Sequence, residues 1–148
     1  MRLVIGSDHA GWMLKGAVVD HVRALGHEVI DVGSFDEKPV DFPDIAREVA
    51  RKVTSGEADR GLMVCGTGVG ASIAANKMKG IRAAVCHDIH SAHQCVEHDD
   101  VNVMCIGAQI VGPWLAKDLI ASYLQAEFST DADFRRRVEK LHAMDAEG

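Results

Sequence analysis

Short apolar runs alternate with longer amphipathic stretches along the whole chain. Arg2-Leu-Val-Ile-Gly6 reads as a first buried strand, ended by a glycine and the polar trio Ser7-Asp8-His9. Over residues 11–25 the apolar positions Met13, Leu14, Ala17, Val18, Val22 and Leu25 recur at helical spacing, and Gly26 is placed to end that helix. Glu28 to Val32 is a second strand. A polar loop with Pro39 and Pro43 follows, and from Asp44 a helix is expected to run to about Thr54, where Ser55-Gly56 stops it. Gly61 to Cys65 is a third strand, and Gly66-Thr-Gly-Val-Gly70 turns into a helix over 71–76. Strands at 82–86 and 102–106 are separated by a helix over 88–97, which leaves His98, Asp99 and Asp100 in a loop. Helices from about Pro113 to Leu124 and over 131–145 close the chain.

Strands separated by helices mean a parallel sheet with helices on both faces, joined by right-handed crossovers. The expectation is a three-layer, Rossmann-like α/β fold with a five-stranded parallel sheet and a C-terminal helix. The pattern has no linker, repeat or composition break, so residues 1–148 read as one domain. Composition narrows the class further. Hydrophobic residues make up 47% and charged residues 26%, which is ordinary for a globular chain. No uncharged run is long enough to span a bilayer, and a net charge of −6 argues against a nucleic-acid or anionic membrane surface. Four cysteines without CxxC pairing, and no secretory h-region, point to reduced thiols and a cytoplasmic location.

Ligands of such sheets bind beyond the carboxyl ends of the strands, which directs attention to Ser7–His9, Cys65–Gly70, 86–88 and the segment from Gly107. Gly66, Gly68 and Gly70, with Thr67 and Val69 between them, lie between a strand and a helix start. Several backbone N–H groups can therefore point at one small volume and hold an anion. Cys65 touches that loop. A sulfur beside an anion hole suits attack on a carbonyl or movement of a proton next to one. Asp8 and His9 occupy the neighbouring strand end, where Asp8 can also cap the helix that follows. His87, His90 and His93 converge poorly on a helix and read as solvated polarity, so no metal site is expected; His98, in its loop, is a candidate acid or base. Arg135-Arg136-Arg137 is a solvated face or, if the ligand is a phosphate, its densest cation source.

Together these motifs resemble the ribose-5-phosphate isomerase B family, which includes the galactose-6-phosphate isomerase subunits. The resemblance spans nearly the whole chain. It rests on Gly6-Ser-Asp-His-Ala-Gly11 with Lys15, the long Cys65-Gly-Thr-Gly-Val-Gly-Ala-Ser-Ile-Ala-Ala-Asn-Lys77, Gly80-Ile-Arg-Ala83, and Glu97-His98 with Asn102-Val103. It implies a homodimer with active sites between subunits, left open to further pairing into a tetramer, that acts on a small sugar or sugar phosphate without metal or organic cofactor. Cys65 would move a proton between C1 and C2. Thr67, and His98 from the partner subunit, would assist ring opening, Asp8 would hold substrate hydroxyls, and residues 66–70 would stabilise the enediolate. His9 and the C-terminal arginines, Arg137 foremost, would bind phosphate. Against the family pattern, Asp99 replaces an asparagine beside the substrate, Gln109 an arginine, and Asp133 a second phosphate-binding arginine, for which Arg135 or Arg136 are the available substitutes. Ribose 5-phosphate is the first expected substrate, with a different or unphosphorylated sugar as the alternative. Two further alternatives stand: a dinucleotide-binding module using Gly66–Ala71 with Asp88 on a ribose hydroxyl, and a sugar-phosphate sensor or inactive partner subunit.

Overall fold

The computed structural model describes residues 1–148. Five strands form one all-parallel sheet in the order β2-β1-β3-β5-β4, with β1 Arg2–Ser7, β2 Glu28–Asp31, β3 Arg60–Cys65, β4 Ala83–Val85 and β5 Val103–Gly107. The helices are α1 Trp12–Ala24, α2 Phe42–Thr54, α3 Val69–Asn76, α4 Ile89–Asp99, α5 Pro113–Gln125 and α6 Ala132–Glu147. The three-layer expectation is met. Alternate strand residues feed two separate cores, as a sheet covered on both faces requires. Leu3, Ile5, Leu62, Val64, Met104 and Ile106 pack with α1, α4 and α5. Val4, Met63, Cys65, Val103 and Cys105 face α2 and α3. No helix is long and apolar enough to cross a membrane.

Several boundaries differ from the sequence expectation. Helix α2 starts at Phe42, taking Pro43 into a first turn where its missing N–H costs nothing. Helix α3 starts at Val69 rather than 71, because Gly68 supplies the turn (φ +82°) on its own. Helix α4 runs on to Asp99, and Asp100 ends it in a left-handed conformation (φ +50°), so His98 lies in the last helical turn and not in a loop. Asp88 is its N-cap, accepting the Ser91 N–H at 2.7 Å.

Two features set where a ligand can sit. After β1 the chain passes to one face of the sheet as α1; after β3 it passes to the other as α3. Between these neighbouring strands a crevice opens at their carboxyl ends, the switch point of an α/β sheet. The buried Lys15 ammonium then ties down the loop beside it, donating to Asp31 Oδ1 at 2.8 Å and to the Ser34 carbonyl while resting 4.5 Å over the Phe35 ring. Replacing Lys15 with Met leaves the Ser34 carbonyl without this donor and Asp31 with the Gly33 N–H alone. We expect a loss of about 2 kcal/mol in urea unfolding, below the roughly 3–5 kcal/mol of a fully buried broken pair because Asp31 keeps solvent contact and that N–H.

Candidate active site

Asp8 and Cys65 leave adjacent strands at the crevice: Ser7 is level with Val64, and the Asp8 N–H donates to the Val64 carbonyl at 3.3 Å. Asp8, nearly buried, accepts the Gly11 N–H at 2.9 Å, so it fixes the turn into α1 rather than capping the helix itself. The Val40 N–H donates to His9 Nδ1 at 3.1 Å. That bond occupies the Nδ1 lone pair and leaves Nε2 as the ring nitrogen able to donate.

Cys65 is buried at 5% exposure, with its sulfur turned toward α3. The Gly68 N–H donates to Sγ at 2.9 Å, a contact that strengthens when the sulfur carries charge. Beyond it, the first-turn N–H groups of α3 have no acceptor within the helix and open onto the same volume. Thr67 is exposed, its Oγ1 accepting the Val69 N–H at 3.3 Å. From the other side, Ala108 N–H donates to the Cys65 carbonyl (2.8 Å) and Gln109 N–H to that of Gly66 (3.0 Å), zipping the segment after β5 onto the loop. The Gln109 carboxamide lies against Gly66; a Cβ built there would be 3.3 Å from it.

The remaining candidates gather elsewhere. His98 stacks on Phe134 of α6, with ring centroids 3.9 Å apart and planes at 15°, and the Arg137 guanidinium lies 5.7 Å from the same ring. Arg136 is paired with Asp133 at 2.8 Å. Arg135 lies over Phe128 (4.2 Å) and donates to the Ser129 carbonyl (2.7 Å), which leaves Arg137 the one member of the run without an acceptor. Asp99 lines a cleft of about 560 Å³ with Arg82, Leu141, His142 and Met144. This cluster adjoins the start of β5, whereas Cys65 is level with its end at Gly107; the strand between spans roughly 13 Å at 3.3 Å per residue. Within one chain the Cys65 group and the His98–Arg137 group thus lie at opposite ends of the sheet.

A model of the Ribose/Galactose Isomerase family matches residues 3–141. The chain belongs to that family. Ribose-5-phosphate isomerase B of Escherichia coli is 42% identical over 97% of this chain and 96% of its own. A D-erythrulose-4-phosphate isomerase of Pectobacterium atrosepticum is 40% identical over 95% and 93%. Among solved structures, ribose-5-phosphate isomerase B of Clostridium thermocellum superposes with a TM-score of 0.96, at 44% identity over 99% of both chains. The chain is accordingly an enzyme of the aldose–ketose isomerase kind.

Membership bears on the other readings of the glycine loop. Asp88 Oδ1 accepts the Ser91 N–H as the α4 cap, a structural role that accounts for this residue without a ribose hydroxyl. No three His, Cys, Asp or Glu side chains form a metal-binding group; His93 meets Glu97, and His87 turns to the backbone of β5. Phe134, on which His98 stacks and which Arg137 approaches, has no sequence signal beyond an apolar position in a charged helix. At Gly68 the left-handed φ and a Cβ 3.2 Å from the Ile106 carbonyl carbon both oppose a side chain. Gly68→Ala is expected to cost about 1–2 kcal/mol in thermal or urea unfolding and to lower isomerase activity by turning the Gly68 N–H from the sulfur.

Proposed function

We propose that the enzyme interconverts an aldose phosphate and its ketose, ribose 5-phosphate and ribulose 5-phosphate first, through an enediolate with Cys65 as base. The observation that carries this is the Cys65 sulfur held inside a turn of backbone donors, 2.9 Å from the Gly68 nitrogen. In the open-chain sugar the sulfur takes the C2 proton, the C–H electron pair forms the C1–C2 double bond, and O1 takes up the charge. The proton on O2 moves to O1, and the thiol returns its own to C1. The N–H groups over 66–70 are aimed where the charge develops, the arrangement most effective at lowering such a barrier. Asp8 and Thr67 flank the sulfur and are assigned the substrate hydroxyls and ring oxygen; His9 offers its Nε2–H to the phosphate.

The site is completed by a second copy of the chain, which brings His98, Asp99 and Arg137 to the Cys65 of its partner. Edge strand β4 supports this reading. Val69 and Ile73 of α3, Val85, Ile89, and Leu141 and Met144 of α6 are all exposed around it, an apolar flank unusual for a monomer. A two-fold axis there would set each end of the sheet against the opposite end of its neighbour. The cytoplasm remains the expected compartment.

A four-carbon sugar phosphate is the second reading, favoured by the uncharged Gln109 against Gly66 and by the Pectobacterium relative. Proton NMR in deuterium oxide, with four- to six-carbon aldoses and their phosphates, decides between them. Exchange at C2 of ribose 5-phosphate supports the first reading, exchange confined to a tetrose phosphate supports the second, and loss of exchange in Cys65→Ala is expected for either. A Cys65→Ala variant that retains exchange overturns the mechanism.

The shared site has its own test. Cys65→Ala and His98→Ala chains, each inactive alone, are unfolded, mixed in equal amounts and refolded. Half of the dimers are then mixed, with one intact site of two, so activity returns to roughly a quarter of the wild-type value. No recovery from mixed dimers shows that each site is built within one chain.

A further inference from the structure

Strand β4 ends at Val85, and its ladder with β5 closes with the Cys86 N–H on the Cys105 carbonyl at 3.2 Å. Two residues further along β5, the Gly107 N–H faces the same side with no strand beside it. A side chain fills the gap: the Gly107 N–H donates to His87 Nε2 at 2.9 Å. Gly107 is also the floor of the catalytic loop. A Cβ on it would lie 2.5 Å from Thr67 Cα and 2.6 Å from the Gly66 carbonyl oxygen, so its backbone is seated directly on the Gly66–Thr67 peptide. The next two N–H groups, of Ala108 and Gln109, hold the Cys65 and Gly66 carbonyls. The imidazole thus fixes one end of a backbone stack whose other end is the Cys65–Gly68 turn.

We propose that His87 is a positioning residue whose unprotonated Nε2 holds Gly107 in register under the Cys65–Gly68 turn, and that protonation of the ring breaks this hold and lowers turnover. The inference rests on the isomerase reading for its effect on rate but not for the bond itself. An imidazolium has no lone pair for the Gly107 N–H and would set a second donor against it. Burial holds the His87 pKa below the ordinary histidine value, opposed by the Asp88 carboxylate of its own loop. That carboxylate is engaged by the Ser91 N–H and faced by His90. The only titratable group of β5 is the Cys105 thiol, which burial keeps protonated, and α3 has none. The ring is therefore neutral at pH 7, and the hold is lost as pH falls below the histidine range.

Two variants and one spectrum test this. Gln carries an acceptor that reaches as far as Nε2 and does not titrate; Ala carries none. With the preferred sugar, His87→Ala is expected to lose about 10- to 100-fold in kcat with KM changed less than about threefold. His87→Gln is expected to stay within about threefold of wild type at pH 7.5 and to keep its kcat to lower pH than wild type. In 15N-labelled protein the Gly107 amide follows the imidazole titration in wild type and is flat in His87→Gln. A wild-type kcat in His87→Ala overturns the proposal, as does a Gln variant as slow as the Ala variant while equally folded by melting temperature. A Gly107 amide indifferent to the His87 titration overturns it as well. Should no sugar be turned over, the amide titration alone decides the bond, and the isomerase reading is what fails.

Discussion

Backbone packed against backbone on both sides of the Cys65–Gly68 turn is the constraint on which the rest of the site depends. On one side Gly11 approaches so closely that a Cβ would lie 2.0 Å from the Val64 carbonyl oxygen; on the other Gly107 rests on the Gly66–Thr67 peptide. Neither neighbour can carry a side chain. In return the turn is clamped by rigid chain and not by rotamers, and its N–H groups keep their aim when charge appears. Stabilisation by preorganised dipoles depends on such fixity, since donors that must reorient during reaction return little of their interaction to the barrier. The left-handed φ at Gly68 is the local counterpart, because it lets a strand become a helix within three residues while returning an N–H to the sulfur.

The same architecture explains why one chain holds its candidate site residues at two ends. A helix that follows a parallel strand must run back along it to start the next. Eleven residues of α4 cover about 16 Å, enough to carry His98 from the carboxyl end of β4 to the amino end of β5. Helix α6 then meets it there, with Phe134 stacked on His98. No side-chain rotation undoes a separation set by strand length. On the proposed reading, chemistry that uses both groups draws them from two chains, and the exposed apolar residues around β4 are the face that reading assigns to the contact.

Strand and helix types, the two-sided burial of the sheet and the glycine loop were legible because each depends on local spacing. What was misread depends on contacts between segments distant in sequence. His87 looks like one of several polar residues near a helix, and only the ending of β4 one residue short of Cys86 reveals that its ring replaces a strand partner. The apolar pattern places His98 in a loop because Glu97-His98-Asp99-Asp100 has no apolar position to continue it; the helix persists since Val96 and Cys95 are anchored in the core and Asp100 accepts the left-handed turn. Charge pattern alone does not distinguish the three arginines, of which the family resemblance favours Arg137, and their neighbours separate them: Asp133 takes Arg136, and the Ser129 carbonyl takes Arg135.

That separation bears on how such an enzyme would measure its substrate. His98 is stacked on Phe134, and the exposed Arg137 guanidinium lies 5.7 Å from the same ring, so the cation and the imidazole share one neighbour. Asp8, Cys65 and the glycine turn are fixed relative to one another by the sheet. On the reading of a shared site, the distance between these two groups is set by the apposition of subunits and by neither chain alone. Carbon number is then a property of the interface. Substitutions along β4 and α3 that alter the approach of the two copies would change which sugar fits, even with every catalytic residue retained. Within the contact itself, replacing a guanidinium by the Gln109 carboxamide removes a charge worth about 4 kcal/mol at 4 Å in a surface-like dielectric. On the proposed reading, the charge attraction for a phosphate dianion then comes from Arg137, with His9 as a hydrogen-bond donor, and selection depends on where the two subunits place them.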